Sequence, residues 1–572
     1  MADFTKLNGY TVKDPNAVHT YDTVADLKAD TKLKAGNHVQ TKGYTTAGDG
    51  GHASYIIVDD NTLVDDGGSI HALTNGLFAV LLNNEYVTPE MYGAYGDGVH
   101  DDSTAIQKAI NSGKVVEFAP KTYICYSLTV DRPTVLHGNG ATLKRPELDI
   151  APYNLTVAEM KWIRTADITE NCIITNMVFD NNCFTMWQPS DGYAQEQSCS
   201  LLVRNTAKVI ELVIDKCEFK NSAGDGLHIV DNVNANITNC RSIDCFRGGL
   251  TSTGYGSEIN VDNWISEVHT AGVNDGFDVE VDSASSVYPE KYILNMNNVT
   301  LDYDLDIMVP KKGVANLNNI TMRSFDETNI GGFVLGARAG GVLNISNSKL
   351  RSGKTPSVQI YIQEGNVNFV NCAINGNATD PVLRVSQYQP GSLTYDGELN
   401  IHGCKINGHN FMSVANIRGY INVDSCEIKC NGDFIVNNGN SSPAVQHLYL
   451  QNNKIKFSGM FITLTKSGAI DSTVNLYLYG NTIKGGGDDY IKTWADANIY
   501  YDSTPMEGAL RLQKGGGSIP PVFLGQDRVI IVNTASELTF AGWVAGNDIA
   551  IAKDTGIRYQ YASGTTWNEI TS

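Results

Sequence analysis

Leu317-Asn318-Asn319-Ile320-Thr321-Met322 is one copy of a six-residue pattern whose recurrence decides the fold. An apolar residue opens the pattern, a small residue or Asn holds the third place, a core residue the fourth, and an apolar residue closes it. Further copies run over Ile174–Phe179, Ile214–Phe219, Met296–Leu301, Ile345–Leu350, Phe369–Ile374, Ile401–Ile406, Val423–Ile428, Leu450–Ile455 and Leu478–Ile483. Ile237 and Val261 open two weaker copies, with Ser242 and Ser266 in the last place. The first position is apolar in all twelve copies, and Asn holds the third in eight. Starts recur every 21–28 residues, except for gaps of 40, 35 and 32 after Ile174, Val261 and Phe369. A fixed period of that length marks a solenoid that grows by repetition. Each copy then supplies one coil of an all-β helix of stacked strands, and three coils carry large insertions.

The fourth position holds Cys217, Cys240, Cys372, Cys404 and Cys426, which reads as an inward stack of small hydrophobes. The chain has 11 cysteines, an odd number with no CxxC and no zinc spacing. A second strand follows each repeat, as at Gly226–Val230, Gly276–Val281, Gly332–Leu335, Val358–Ile362 and Phe461–Leu464. Period-two alternation turns Phe277, Val279 and Val281 inward, and Asp278, Glu280 and Asp282 outward.

Composition agrees with this reading. Charged residues make up only 18% of 572, with 55 Gly, which suits turn-rich β structure. The net charge of −20 argues against nucleic acid as a partner. The polar start Met1-Ala2-Asp3-Phe4 and the lack of any run of 18 apolar residues predict no leader and no membrane insertion. Folding in a reducing cytoplasm follows as an expectation, with any work outside the cell reached through lysis or assembly.

Upstream of the repeats stands AYGDGVHDDSTAIQKAI (94–110), followed by VVEFAPKTYICYSLTV (115–130) and VLHGNGATLKR (135–145). Asp101 and Asp102 can accept backbone N–H bonds at a helix start. Ala105, Ile106, Ala109 and Ile110 form one apolar stripe, as on a short helix plugging the end of a strand stack. These residues resemble the entry motif of the pectate-lyase-like superfamily, with Ala119-Pro120-Lys121-Thr122 where that family often shows Phe-Pro-x-Gly. Within it the pattern is most similar to bacteriophage tailspikes and tail-fibre depolymerases. The resemblance implies a right-handed parallel β-helix, usually a homotrimer carried on the virion tail and acting at the host surface. It also implies three parts: a virion-attachment domain over 1–88, the β-helix over 89–513, and a linker and small β domain over 514–572. In the first, Tyr21–Leu27 reads as a capped helix and Gly43–Gly51 as a turn before a strand at Ala53–Val58. This domain would join a tail or baseplate protein.

The chemistry implied is cleavage of a host surface polysaccharide: capsule, exopolysaccharide or a teichoic-acid-like polymer. Asp278, Glu280 and Asp282 stand on one face of one strand, in steps of about 6–7 Å. Register brings Asp306 of the next coil beside Asp278, about 4.8 Å away, and His228 and Thr251 take the matching place on the two preceding coils. Carboxylates held together raise one another's pKa, so one can act as acid while its neighbour stays ionised. Glycoside hydrolysis needs that division, which makes Asp278, Glu280 and Asp306 the catalytic candidates. Asp282, His228, Trp187, Tyr193, Tyr288 and Tyr388 are the substrate-binding candidates. The aromatic residues lie in the three insertions together with Asp191, Glu196, Glu290, Tyr292 and Tyr395, where ring faces can stack on sugars. No cofactor is expected. The acidic face also reads as a solvated strand, or as a Ca²⁺ site as in pectate lyases. Asp225, between two glycines, reads as a turn former, and Lys311 and Lys312 as sugar-acid contacts, a lyase base or plain surface. A polysaccharide lyase working by β-elimination and a non-enzymatic receptor-binding fibre are the alternatives.

Overall fold

The third position of the repeat governs the path of the chain. At all twelve copies that residue adopts a left-handed backbone conformation, with φ between 51° and 63°. Asn tolerates this region and Gly pays no steric cost there, whereas other side chains crowd the following carbonyl. Hence the eight asparagines, together with Gly403 and Gly480; Lys216 and Ser425 adopt the same conformation without that advantage. Each left-handed residue bends the strand once, so that positions one, four and six all point inward. The first-position side chains are at most 2% exposed, and every described fourth and sixth position is buried. Lys216→Gly is therefore expected to stabilise the protein by about 0.5–1 kcal/mol, because strain relief exceeds the added chain entropy. Its contact to Asp215, at 3.5 Å on a side chain 67% exposed, contributes little against that. Urea denaturation checks this, and a lowered midpoint would contradict it.

The computed structural model describes residues 18–148 apart from 83–84, and 164–302 apart from 184–197, 271–272, 274 and 284–290. It describes 305–485 apart from 324–333, 352–357, 363, 377–378, 387–396, 416–418, 438–444 and 465–472; outside these spans it describes Pro152 and separate strands. The chain divides into two units, Met1–Thr251 and Ser252–Ser572.

The first unit opens with a five-stranded sheet in the order His19–Tyr21, His38–Thr41, Ala53–Val58, Phe78–Leu81, Ile70–Ala72. The helix Val24–Ala29 carries a capping box between Thr23 and Asp26, as the sequence predicts. Helix Ser103–Asn111 follows, with Ala105, Ile106, Ala109 and Ile110 buried against the strands Val115–Glu117 and Leu128–Val130. Its predicted cap needs correction. Asp102 makes no side-chain bond to the helix and instead turns back, accepting from the backbone N–H groups of Tyr95 (2.7 Å) and Gly96 (3.1 Å). The glycine-rich turn before it has orphan N–H groups of its own, and Asp102 is buried beneath them. Asp101 does accept from Ser103, at 2.9 Å.

Parallel strands then stack coil on coil. Thr134–Lys144, Cys172–Asp180, Ile210–Asp215 with Glu218–Lys220, and Val233–Ile243 make one face. Leu128–Val130, Ala166–Ile168, Leu201–Val203 and Asp225–Ile229 make the other. The second unit continues the pattern from Ser257–Glu267 to Asp496–Tyr501, and the long sheet takes a last strand at Val522–Leu524. Its second face runs from Phe277–Ser283 through ten strands to Arg511–Lys514. The architecture is a right-handed parallel β-helix. A four-stranded sheet, Val529–Val532, Ile549–Ala552, Arg558–Ser563 and Thr566–Glu569, ends the described chain.

Two ladders lock the register of the second unit. On the outside, Asn295, Asn316, Asn344, Asn368, Asn400 and Asn422 each donate from Nδ2 to the Oδ1 of the Asn one coil earlier, beginning at Asn260, over 2.7–2.9 Å. Inside, the backbone N–H of Cys372 donates to Cys404 Sγ, and that of Cys404 to Cys426 Sγ, both at 3.3 Å. Asn453 and Asn481 continue the inner ladder with Oδ1 in place of sulfur. All eleven cysteines are free and buried, so the repeat cysteines are core material, as their spacing predicts.

Candidate active site

In the second unit, strand Phe277–Ser283 pairs in parallel with Leu305–Val309, and the register sets Asp278 opposite Asp306 and Glu280 opposite Met308. Phe277, Val279, Leu305 and Ile307 are at most 1% exposed, so the residues between them face outward. Asp278 and Asp306 are half-buried and Glu280 is exposed. Asp306 accepts the backbone N–H of Val334 at 2.8 Å, which holds one of its oxygens in place. Beyond Asp306 the row passes through Val334, Gln359, Arg384, Ser413, Val436 and Thr463. Among the described residues of this stretch of the unit the only carboxylates on the row are therefore the adjacent pair.

Tyr292 corrects an expectation. It opens strand Tyr292–Leu301, is 1% exposed, and belongs to the core instead of a groove wall. Its phenol, pushed up chiefly by burial and also by the charge of Asp278, stays protonated. Beside the acids the sequence offers two further side chains that no motif marks. Tyr361 and Gln359 are half-buried on strand Val358–Ile362, and the Tyr361 hydroxyl donates to Gln359 Oε1 at 2.8 Å. Tyr361 lies on the row that begins Glu280, Met308, Gly336. Projecting the alternation of Val358–Ile362 one coil at a time would have found both. Lys311 and Lys312 are exposed in the turn after Leu305–Val309.

In the first unit, His228 sits on the row Asp167, Leu202, His228. It is only 7% exposed, so the expected open contact is a covered one. Its Nδ1 lies 3.4 Å from Asp225 Oδ2, and the Thr251 hydroxyl donates to Asp225 Oδ1 at 2.7 Å. Asp225 is fully buried at the start of strand Asp225–Ile229, not a solvent-facing turn former. Burial, followed by the positive charges of Arg247, Arg164 and Arg204, pulls the imidazole down to about 3. It is neutral at any working pH.

Trp187, Tyr193, Tyr288 and Tyr388, with Asp191, Glu196, Glu290 and Tyr395, lie outside the described residues, as does the side chain of Asp282. Among the described residues no group of three or more His, Cys, Asp or Glu could hold a metal ion.

Residues 89–301 match the family described as rhamnogalacturonase A/epimerase, pectate lyase-like. Two curated relatives, both from phages, are similar to shorter stretches. A capsule K30/K69-specific depolymerase 1 of Klebsiella phage K5-2 is 36% identical over 78 residues, which is 13% of this chain and 9% of that protein. A capsule K30/K69-specific depolymerase of Klebsiella phage K64-1 is 38% identical over 86 residues, 14% of this chain and 11% of the other. The chain thus spans about a tenth of the length of these relatives. Among solved structures, Pantoea stewartii WceF, a glycan biofilm modifying enzyme with a tailspike-like parallel β-helix, has a TM-score of 0.43 at 14% identity, covering 67% of this chain and 50% of its own.

Proposed function

We propose that this chain is a tailspike depolymerase that binds a host surface polysaccharide and hydrolyses its glycosidic bonds at Asp278, Glu280 and Asp306. The observation that carries this reading is the register of Asp278 on Asp306. Rungs of a parallel sheet stand about 4.8 Å apart, so two carboxyl groups meet on a half-buried surface where both resist ionising together. One keeps its proton and delivers it to the leaving glycosidic oxygen. The other completes the displacement in one of two ways. Carboxyl groups about 5–5.5 Å apart suit direct attack and a covalent glycosyl intermediate, which retains the anomer. The rung spacing between Asp278 and Asp306 approaches that separation. Groups about 6.5–9.5 Å apart leave room for water and invert it, which the two-residue step from Asp278 to Glu280 approaches.

In the same reading Tyr361 supports a sugar ring, the chain works as a homotrimer, and residues 1–88 attach it to a tail or baseplate protein. The relatives named as capsule depolymerases support the substrate class. The test is to incubate the purified protein with capsule polymer from a host strain and follow chain length and products. Shortened polymer with new reducing ends is expected, without the ultraviolet absorbance of unsaturated sugars. An absorbance rise would assign β-elimination instead, and adsorption without shortening would make the protein a receptor-binding fibre.

A further inference from the structure

The short strands Lys349–Arg351, Ala373–Asn375, Lys405–Gly408, Glu427–Cys430, Lys454–Lys456 and Thr482–Lys484 recur up the long sheet of the second unit. Leu350, Ile374, Ile406, Ile428, Ile455 and Ile483 are buried, so the residues on either side of them face outward. Parallel register sorts those residues into two columns. One carries Lys349, Lys405, Glu427 and Lys454, and the other Arg351, Lys429, Lys456 and Lys484. Every cation in the two columns is exposed, and Glu427 is their one carboxylate. It pairs with Lys429 at 2.7 Å. Lys349, Arg351, Lys405, Lys454, Lys456 and Lys484 have no ion pair among the described residues.

Lys429, Lys456 and Lys484 occupy successive rungs, about 4.8 Å apart. Like charges placed directly opposite one another repel and cost stability. Elsewhere the same sheet sets opposite charges on neighbouring rungs: Arg241 Nε donates to Glu218 at 2.7 Å, and His402 lies 2.8 Å from Asp424. The lysine column departs from that pattern.

Resting on the reading that the chain works at the host surface, we propose that this face is a docking surface for the phosphate headgroups of an anionic lipid membrane. Its shape fits a surface better than a single ligand. The columns extend about 24 Å along the stack, lie about 6–7 Å apart on one sheet, and carry no aromatic ring. A lysine is a point charge on a flexible stem that can follow headgroups free to move sideways, whereas a guanidinium suits a fixed planar partner. A chain of net charge −20 is repelled as a whole by such a membrane. At 0.1 M salt that repulsion is screened beyond about 10 Å, so the charges on the facing sheet decide the contact.

The test is co-sedimentation of the full chain with vesicles, either phosphatidylcholine alone or phosphatidylcholine and phosphatidylglycerol in equal parts, at about 0.1 M salt. Binding is expected to the mixed vesicles only, and to be lost near about 1 M salt. Lys429→Gln, Lys456→Gln and Lys484→Gln together are expected to weaken it about a hundredfold, each lysine contributing about fivefold. A control with the same charge change on exposed lysines of the first unit, Lys32→Gln, Lys34→Gln and Lys42→Gln, is expected to bind as the native chain does. No binding to the mixed vesicles, equal binding to phosphatidylcholine, or equal weakening in both triple variants would each overturn the proposal. So would capture of sodium polyphosphate by a chain that ignores vesicles, which would assign the face to a soluble polyanion. If vesicles are bound but no polymer is shortened, the docking face stands and the depolymerase reading falls. Polymer shortened by a chain that binds no vesicle gives the converse.

Discussion

Asp278→Asn and Asp306→Asn are each expected to reduce polymer cleavage by roughly 10²–10⁴-fold, the range over which a positioned acid or base acts. Neither amide can donate a carboxyl proton or attack as an anion, yet both keep the shape of the native side chain. In Asp306→Asn the amide carbonyl oxygen can still accept the Val334 N–H, so thermal denaturation is expected to change little. The double variant is expected to lose hardly more than the worse single one, because the two groups act as a unit. Glu280→Gln separates the two routes. If Glu280 activates water, its loss matches that of Asp278 and the product is inverted; if Asp306 is the nucleophile, Glu280→Gln costs far less and the anomer is retained. The measurement is initial rate by reducing ends, with the anomer read by proton NMR at early times. Full cleavage by both single variants would move the site elsewhere.

The second large effect concerns stability. Phe411, Phe434 and Phe461 stack along the second unit, with Phe434 in the middle: its ring centroid is 4.9 Å from Phe411 and 5.1 Å from Phe461. All three are fully buried. Phe434→Ala removes the shared ring and leaves a cavity that neighbours on two coils cannot both close, for a cost of about 3–5 kcal/mol. A solenoid couples each repeat mainly to its neighbours, so the damage should stay local. Hydrogen exchange is expected to accelerate over residues 411–461 and to remain unchanged over 18–130. Uniform acceleration, or a cost below about 1 kcal/mol, would contradict the nearest-neighbour picture.

Much of the fold was legible because the repeat writes its burial in plain alternation. The hexads place their apolar residues inside, and the cysteines at the fourth position stack in the core as their spacing indicates. The neighbourhood of Asp278 and Asp306 was legible for the same reason, since a period of one coil fixes which side chains share a rung. What escaped depends on three dimensions. The asparagines were visible as a preference, but the left-handed backbone beneath them shows in Lys216 and Ser425, where composition gives no hint. Gly224-Asp225-Gly226 has the composition of an exposed turn, yet Asp225 is sealed against Thr251. Tyr292 has the look of a loop aromatic because the chain before it is polar, although it begins a strand. The arginines whose charges lower the His228 pKa are far apart in sequence, so no local motif marks them.

The most direct test of the account is a structure of the Asp278→Asn variant with a bound oligosaccharide from the host polymer. The account predicts a glycan lying across the rungs at positions 278 and 306, with one glycosidic oxygen within about 3.2 Å of a side-chain atom at one of them. A glycan seated away from both positions, with neither within reach of any glycosidic bond, would contradict it.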